Sequence, residues 1–182
     1  MILFGSSIER ARLEANGKIY TVASNMDDKA VDHYYLYEYE NIFSFTEIDC
    51  HYAASTSQII EILVLDKTVL AFFHGNLGCM YGENPFSKTW LDSAFFDTSL
   101  FNLHYRVGRN GKIIYELYKC NLDNTECVRE PFYYETISLE EAELYSANWY
   151  RTTDYFYLYI GDELIYRYDK NPTCRIDGCI LQ

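Results

Sequence analysis

Six cysteines offer the first chemistry in this chain. Cys120 and Cys127 flank the polar loop Asn121-Leu122-Asp123-Asn124-Thr125-Glu126, and both flanking arms have strand character. That spacing predicts a cross-strand disulfide clamping a β-hairpin. Cys174 and Cys179 bracket Arg175-Ile176-Asp177-Gly178, whose Asp-Gly pair is a turn signal, and predict a second short-loop bridge. Cys50 and Cys79 remain as a third pair, joining segments distant in sequence. Six cysteines admit many other pairings, and the competing reading is of reduced thiols packed as small hydrophobes. Two pairs at hairpin spacing favour an oxidising compartment. The opening Met1-Ile2-Leu3-Phe4 is too short for a signal peptide and lacks a basic flank. The expectation is therefore an extracytoplasmic protein, periplasmic or secreted, whose leader is absent from this chain. A cytoplasmic protein is the alternative.

Cys50-His51 with His74 and Cys79 has the ligand types of a zinc site, but the spacing matches no common zinc module. Neighbours on a strand such as Cys50 and His51 point to opposite faces. No metal and no cofactor is expected. Asp27, Asp28 and Asp32 share one loop yet lack the spacing and turn glycine of a calcium loop. Glu38 and Glu40 lie two apart and share a strand face. Paired acids suit glycoside hydrolysis, although on an acidic protein they more commonly form a wetted face. The chain has no phosphate-cradling glycine loop, no Gly-x-Ser-x-Gly elbow and no His-Glu-x-x-His. Catalysis is not indicated.

Charge and tyrosine narrow the remaining options. Lysine and arginine total 15 against 27 aspartates and glutamates, a net charge of −12. Such a field repels nucleic acid and anionic lipid and suits a basic partner. No apolar run approaches a membrane-spanning length, so no membrane insertion is expected. Nineteen tyrosines among 182 residues fit pleated, half-buried surfaces, and tyrosine is enriched at binding hot spots. The leading expectation is a non-catalytic protein-binding domain of the inhibitor or toxin-neutralising immunity type. It occludes a basic partner, a toxin or enzyme, through Asp27, Asp28, Asp32, Glu38, Glu40, Tyr37 and Tyr39. The alternative is an extracytoplasmic enzyme or carbohydrate-binding module using the aromatic 75–101 region, with Tyr81 and Trp90 lining its pocket. Cross-strand aromatic ladders that only stabilise a sheet are the structural explanation of the same tyrosines.

The elements that must position these residues are hairpins. Asn16-Gly17 separates Glu9–Ala15 from Lys18–Val22, a type I′ signal; a short helix over Ser7–Ala15 is the alternative. His33–Tyr39 reads as a strand, and Ile42–Asp49 as a further one. Gln58–Leu65 and Thr68–Phe73 surround Asp66-Lys67 and read as central strands buried on both faces. Gly75–Leu100 reads as an irregular loop with a short helix over Trp90–Phe96. Leu103–Val107 and Ile113–Lys119 flank Asn110-Gly111, and Phe132–Ile137 follows as a strand. Ser138-Leu139-Glu140-Glu141 has the form of a capping box opening a helix to about Ala147. Tyr155–Ile160 and Glu163–Tyr168 flank Gly161-Asp162. The resulting expectation is a single mainly β domain over residues 1–182. Successive hairpins build antiparallel sheets as a sandwich or open barrel with one or two short helices, or else a small propeller-like fold.

Overall fold

The computed structural model describes residues 7–41, 44–56, 58–132, 134–136 and 147–170. They form fifteen strands in three antiparallel sheets. The first sheet is a meander of β1 (Ile8–Ala15), β2 (Lys18–Met26), β3 (Asp32–Asn41) and β4 (Ser44–Ala54). The second has β5 (Ile60–Leu65), β6 (Thr68–Phe73), β7 (Asn76–Tyr81), β8 (Trp90–Phe96), β9 (Ser99–Val107), β10 (Ile113–Cys120) and β11 (Cys127–Arg129) in sequential order. The short β12 (Tyr134–Thr136) also pairs with β10. β13 (Ala147–Arg151), β14 (Tyr155–Ile160) and β15 (Glu163–Asp169) make the third sheet.

Local turn chemistry explains the meander. Asn16 and Gly17 both take positive φ, 52° and 75°, as a type I′ turn requires. His74 and Gly75 do the same at 53° and 87°, a turn without an Asn-Gly signature. That turn ends β6 and starts β7. The region from Gly75 to Leu100 is therefore not an irregular loop, and Trp90–Phe96 is a strand, not a helix. Its backbone is drawn into the ladder because Ala94 and Phe96 are buried on one face against the third sheet. Among the described residues no helix occurs, and none is long and apolar enough to cross a membrane. The helix expected from Ser138 and the Cys174–Cys179 bridge lie outside the described residues.

Three clusters fill the interior. Tyr20, Val22, Tyr34, Leu36 and Ile48 of the first sheet pack on Val69, Ala71 and Phe73 of β6. The alternate β6 residues Leu70 and Phe72 meet Leu100 and Cys120 from β9 and β10. The second sheet thus curls until its distant strands share a core, forming a half-barrel. Phe101, Leu103, Tyr115 and Leu117 pack with Trp149, Phe156 and Leu158 of the third sheet. β6 is buried along its whole length, as its continuous hydrophobicity requires. β5 is only half-buried because it is the sheet's edge.

Cys50 and Cys79 bond across the first interface, with Cα atoms 5.8 Å apart, joining β4 to β7. Beside them Gly78 is obligatory: a Cβ there would meet the Phe73 ring at 2.5 Å and Tyr52 at 3.3 Å. Those two rings stack at 4.3 Å, so the missing side chain makes room for the aromatic seam. Cys120 and Cys127 are directly opposed in the β10–β11 ladder and also bonded.

Candidate functional site

Alternation along β3 divides its aromatics. Tyr34 and Leu36 point into the core and are 1% exposed, while His33, Tyr35, Tyr37 and Tyr39 belong to the other face. Register then supplies their neighbours. Ile19, Thr21 and Ala23 of β2 lie opposite Tyr39, Tyr37 and Tyr35, and Phe45, Glu47 and His51 of β4 lie opposite the same three from the other side. Phe45 meets Tyr37 edge-on at 6.1 Å and Tyr39 at 5.8 Å, and it stays 43% exposed. Burial, then the Glu47 carboxylate, raises the Tyr37 pKa. Burial and the Glu9 charge raise that of Tyr39. Both phenols therefore remain neutral hydrogen-bonding groups. The face is an aromatic ladder edged by acids.

The carboxylates expected to accompany these tyrosines are spread out. Glu38 occupies the opposite face of β3 from Tyr37 and Tyr39 and is paired with Lys18 at 2.7 Å. Asp32 is buried, with Arg10 at 3.7 Å and the Tyr34 hydroxyl at 3.4 Å. Asp27 accepts the backbone N–H groups of Lys29 and Val31 at 2.8 and 2.9 Å. Asp28 and Glu40 are exposed. Glu47 is the acid that sits beside Tyr37. Only the β3–β4 register reveals it, and no local signal in the sequence marks it.

The same face carries a relay of polar side chains. The Asp27 carboxylate lies 3.1 Å from Nε2 of His33, and Nδ1 of His33 lies 2.9 Å from Nε2 of His51. The two imidazoles are nearly parallel, 6° apart, and Tyr35 lies against His51 with centroids at 5.1 Å. A register shift between Tyr35 and Leu36 places Asp49 and Cys50 in a bulge of β4. The bulge turns Cys50 toward the core and its disulfide while His51 joins the outer face. Bonds from the Val31 amide, and then from His33, hold the Asp27 carboxyl below its usual range. The zinc arrangement weighed for Cys50, His51, His74 and Cys79 does not assemble, because the two sulfurs are consumed by each other.

A second concavity opens under the Cys120–Cys127 hairpin. It encloses about 350 Å³ between the 85–89 segment, β9, β10 and the disulfide, with Phe86, Ser87, His104, Glu116, Tyr118 and Asn124 among its walls. Its polar groups satisfy one another. Ser93 Oγ donates to Asn102 Oδ1 at 2.6 Å, and Asn102 Nδ2 donates to Asn124 Oδ1 at 2.8 Å. Glu116 is held by Arg106 at 2.7 Å and Arg129 at 3.2 Å and accepts the Tyr118 hydroxyl at 3.2 Å. Burial lowers the His104 pKa, against the raising effect of Glu116, and Ser87 Oγ lies 3.1 Å from its Nδ1. Neither Trp90 nor Tyr81 lines this groove. Trp90 stacks on Phe86 at 4.8 Å and donates its indole N–H to Ser93, while Tyr81 is exposed elsewhere on β7. No family model matches the chain, and neither a curated protein nor a solved structure matches it.

Proposed function

We propose that this chain is a non-catalytic protein-binding domain whose first sheet covers a basic partner, in the manner of an inhibitor or an immunity protein. One observation carries the reading: Tyr35, Tyr37, Tyr39 and Phe45 form a single half-exposed ladder beside Glu47, on the face turned away from the core. Tyrosine and phenylalanine held by cross-strand neighbours lose little rotamer freedom on binding. Acids at the rim accelerate encounter with a cationic surface more than they add affinity. Two cysteine pairs at bonding distance suit an oxidising environment, and we place the protein's action outside the cytosol.

The test uses the basic proteins encoded beside this chain in its genome, each presented to the immobilised full chain at low and high salt. A cationic protein retained at low salt, and lost both at high salt and from a Tyr37→Ala/Phe45→Ala variant, supports the reading. Retention indifferent to salt and to the variant overturns it. A second reading, a small polar ligand in the groove under Cys120–Cys127, is favoured by that cavity alone; saturable sugar binding lost in His104→Ala would support it.

A further inference from the structure

We infer that Cys120–Cys127 is a thiol–disulfide exchange site, opened by a dithiol reductant that attacks Cys127 and closed again by a disulfide oxidant. It belongs to the second sheet and so stands apart from the partner surface proposed on the first. The two disulfides among the described residues differ in their surroundings. Cys79 is 7% exposed and packs with Cys50 into the cluster where the first two sheets meet. Cys127, in contrast, lies on a three-residue strand whose every residue is exposed. Its partner Cys120 is 2% exposed and belongs to the cluster of Leu70, Phe72 and Leu100. One end of this bond meets solvent and the other is in the core.

That asymmetry sets the direction of exchange. A thiolate approaches in line with the bond it breaks, and its rate depends on which sulfur it can reach. β11 is the last strand of its sheet, so the line of attack on Cys127 runs out to solvent. The line of attack on Cys120 is blocked by Leu100, its ladder neighbour on β9. Attack bonds the reductant to Cys127 and breaks the bond to Cys120, which leaves as a thiolate. The Asn102 amide N–H donates to that sulfur at 3.4 Å, and a hydrogen bond to the anion makes it a better leaving group. The reductant's second thiolate then attacks its own sulfur in the mixed disulfide, and Cys127 leaves. The reductant ends as an internal disulfide, and its two electrons and two thiol protons end on Cys120 and Cys127. The hairpin has other supports. Asn121 Oδ1 accepts the amides of Thr125 and Glu126 at 3.0 and 3.1 Å, and the Asn121 amide donates to the Glu126 carbonyl at 3.0 Å. These bonds keep the two thiols opposed after reduction, so an oxidant can rejoin them without refolding. Both cysteines line the groove, and each cycle unfastens and refastens one of its walls.

Alkylation of the native, unaltered full chain, read by peptide mass mapping, tests this without relying on a variant to fold. Under limiting dithiothreitol, Cys120 and Cys127 should become alkylated roughly tenfold or more faster than Cys50 and Cys79. Equal rates, or earlier reaction of Cys50 and Cys79, overturn the site. A short pulse of 2-mercaptoethanol quenched in acid should leave the adduct on Cys127 and a free thiol on Cys120. The reverse placement overturns the direction of attack. Oxidised glutathione, added once the reductant is removed, should restore the Cys120–Cys127 bond, and failure to restore it overturns the cycle. Amide exchange of the chain reduced at this pair should rise across Cys127–Arg129 and stay unchanged in β6 and β9. Global loss of amide protection would make the bond a structural staple and overturn the cycle as well.

Discussion

The tyrosine face of the first sheet and the groove beneath the Cys120–Cys127 hairpin are both aromatic and polar, yet they spend their polarity differently. In the groove, Ser93, Asn102 and Asn124 bond in series and Glu116 is enclosed by Arg106, Arg129 and Tyr118. On the face, ring edges and acids look outward from β3, which is paired on one side with β2 and on the other, through two register shifts, with β4. Buried polar groups must be satisfied where they are, so a concavity can have little left to offer a ligand. What the first sheet adds to the contrast is exposed aromatic area, as at Phe45, where the groove adds depth.

The contrast can be attacked through stability. Phe101 is wholly buried between the groove and the third sheet, with rings of Phe156, Tyr166 and Tyr168 around it. Phe101→Ala should cost about 3–5 kcal/mol in urea unfolding, whereas Phe45→Ala on the face should cost less than about 1 kcal/mol. Similar values for the two would mean that the face is core to something it covers. Removing Cys50–Cys79, which closes a separation of 29 residues, should cost roughly 3.5 kcal/mol. Removing Cys120–Cys127, at a separation of 7, should cost roughly 2.4 kcal/mol in the loop-entropy model. The first change should loosen the tyrosine face and the second should leave it intact, as amide exchange of β3 would report.

Asp92 of β8, which reaches Trp149 of the third sheet, adds a test by pH. Burial lifts its carboxyl from 3.8 to about 6, against bonds from the Trp149 indole at 2.8 Å and the Ser93 amide. The folded state thus prefers the protonated acid. That contribution is fully present below the unfolded value of 3.8 and is lost as pH rises through about 6. The loss is worth about 3 kcal/mol. Asp92→Asn should match the wild type in acid and exceed it in stability at neutral pH. Parallel pH–stability curves for the two proteins would refute the assignment. The smallest effect belongs to the face: His33→Gln and His51→Gln should hardly move the unfolding midpoint, since both rings lie at the solvent boundary.

Much of the fold was legible. Hairpins at Asn16-Gly17, Asp66-Lys67, Asn110-Gly111 and Gly161-Asp162 join the strands expected around them, because a turn that needs positive φ or a tight reversal leaves its mark within two residues. Gly75–Leu100 was misread for the same reason. The reversal at His74-Gly75 has no Asn-Gly or Asp-Gly pair to mark it, and β8 is covered on both faces, with Ser93 and Ala94 both fully buried, so no simple alternation marks it as a strand. The candidate site was half legible: Tyr37 and Tyr39 share a face, but Glu38 is on the other side and Glu47 replaces it.

Residue order alone determined that this chain is β, acidic, tyrosine-rich and built from hairpins, since strand alternation and turn residues act between near neighbours. It also placed Cys120 opposite Cys127, a pairing that needs only one hairpin. Tertiary structure decided what depends on register and on sheets meeting: the bulge that parts Cys50 from His51, the contact of His33 with His51, and the seam at Cys50–Cys79. A slip of one residue reverses every side chain of a strand. Only the packed core, by burying Tyr34 and Leu36, fixes which tyrosines are left to face the solvent.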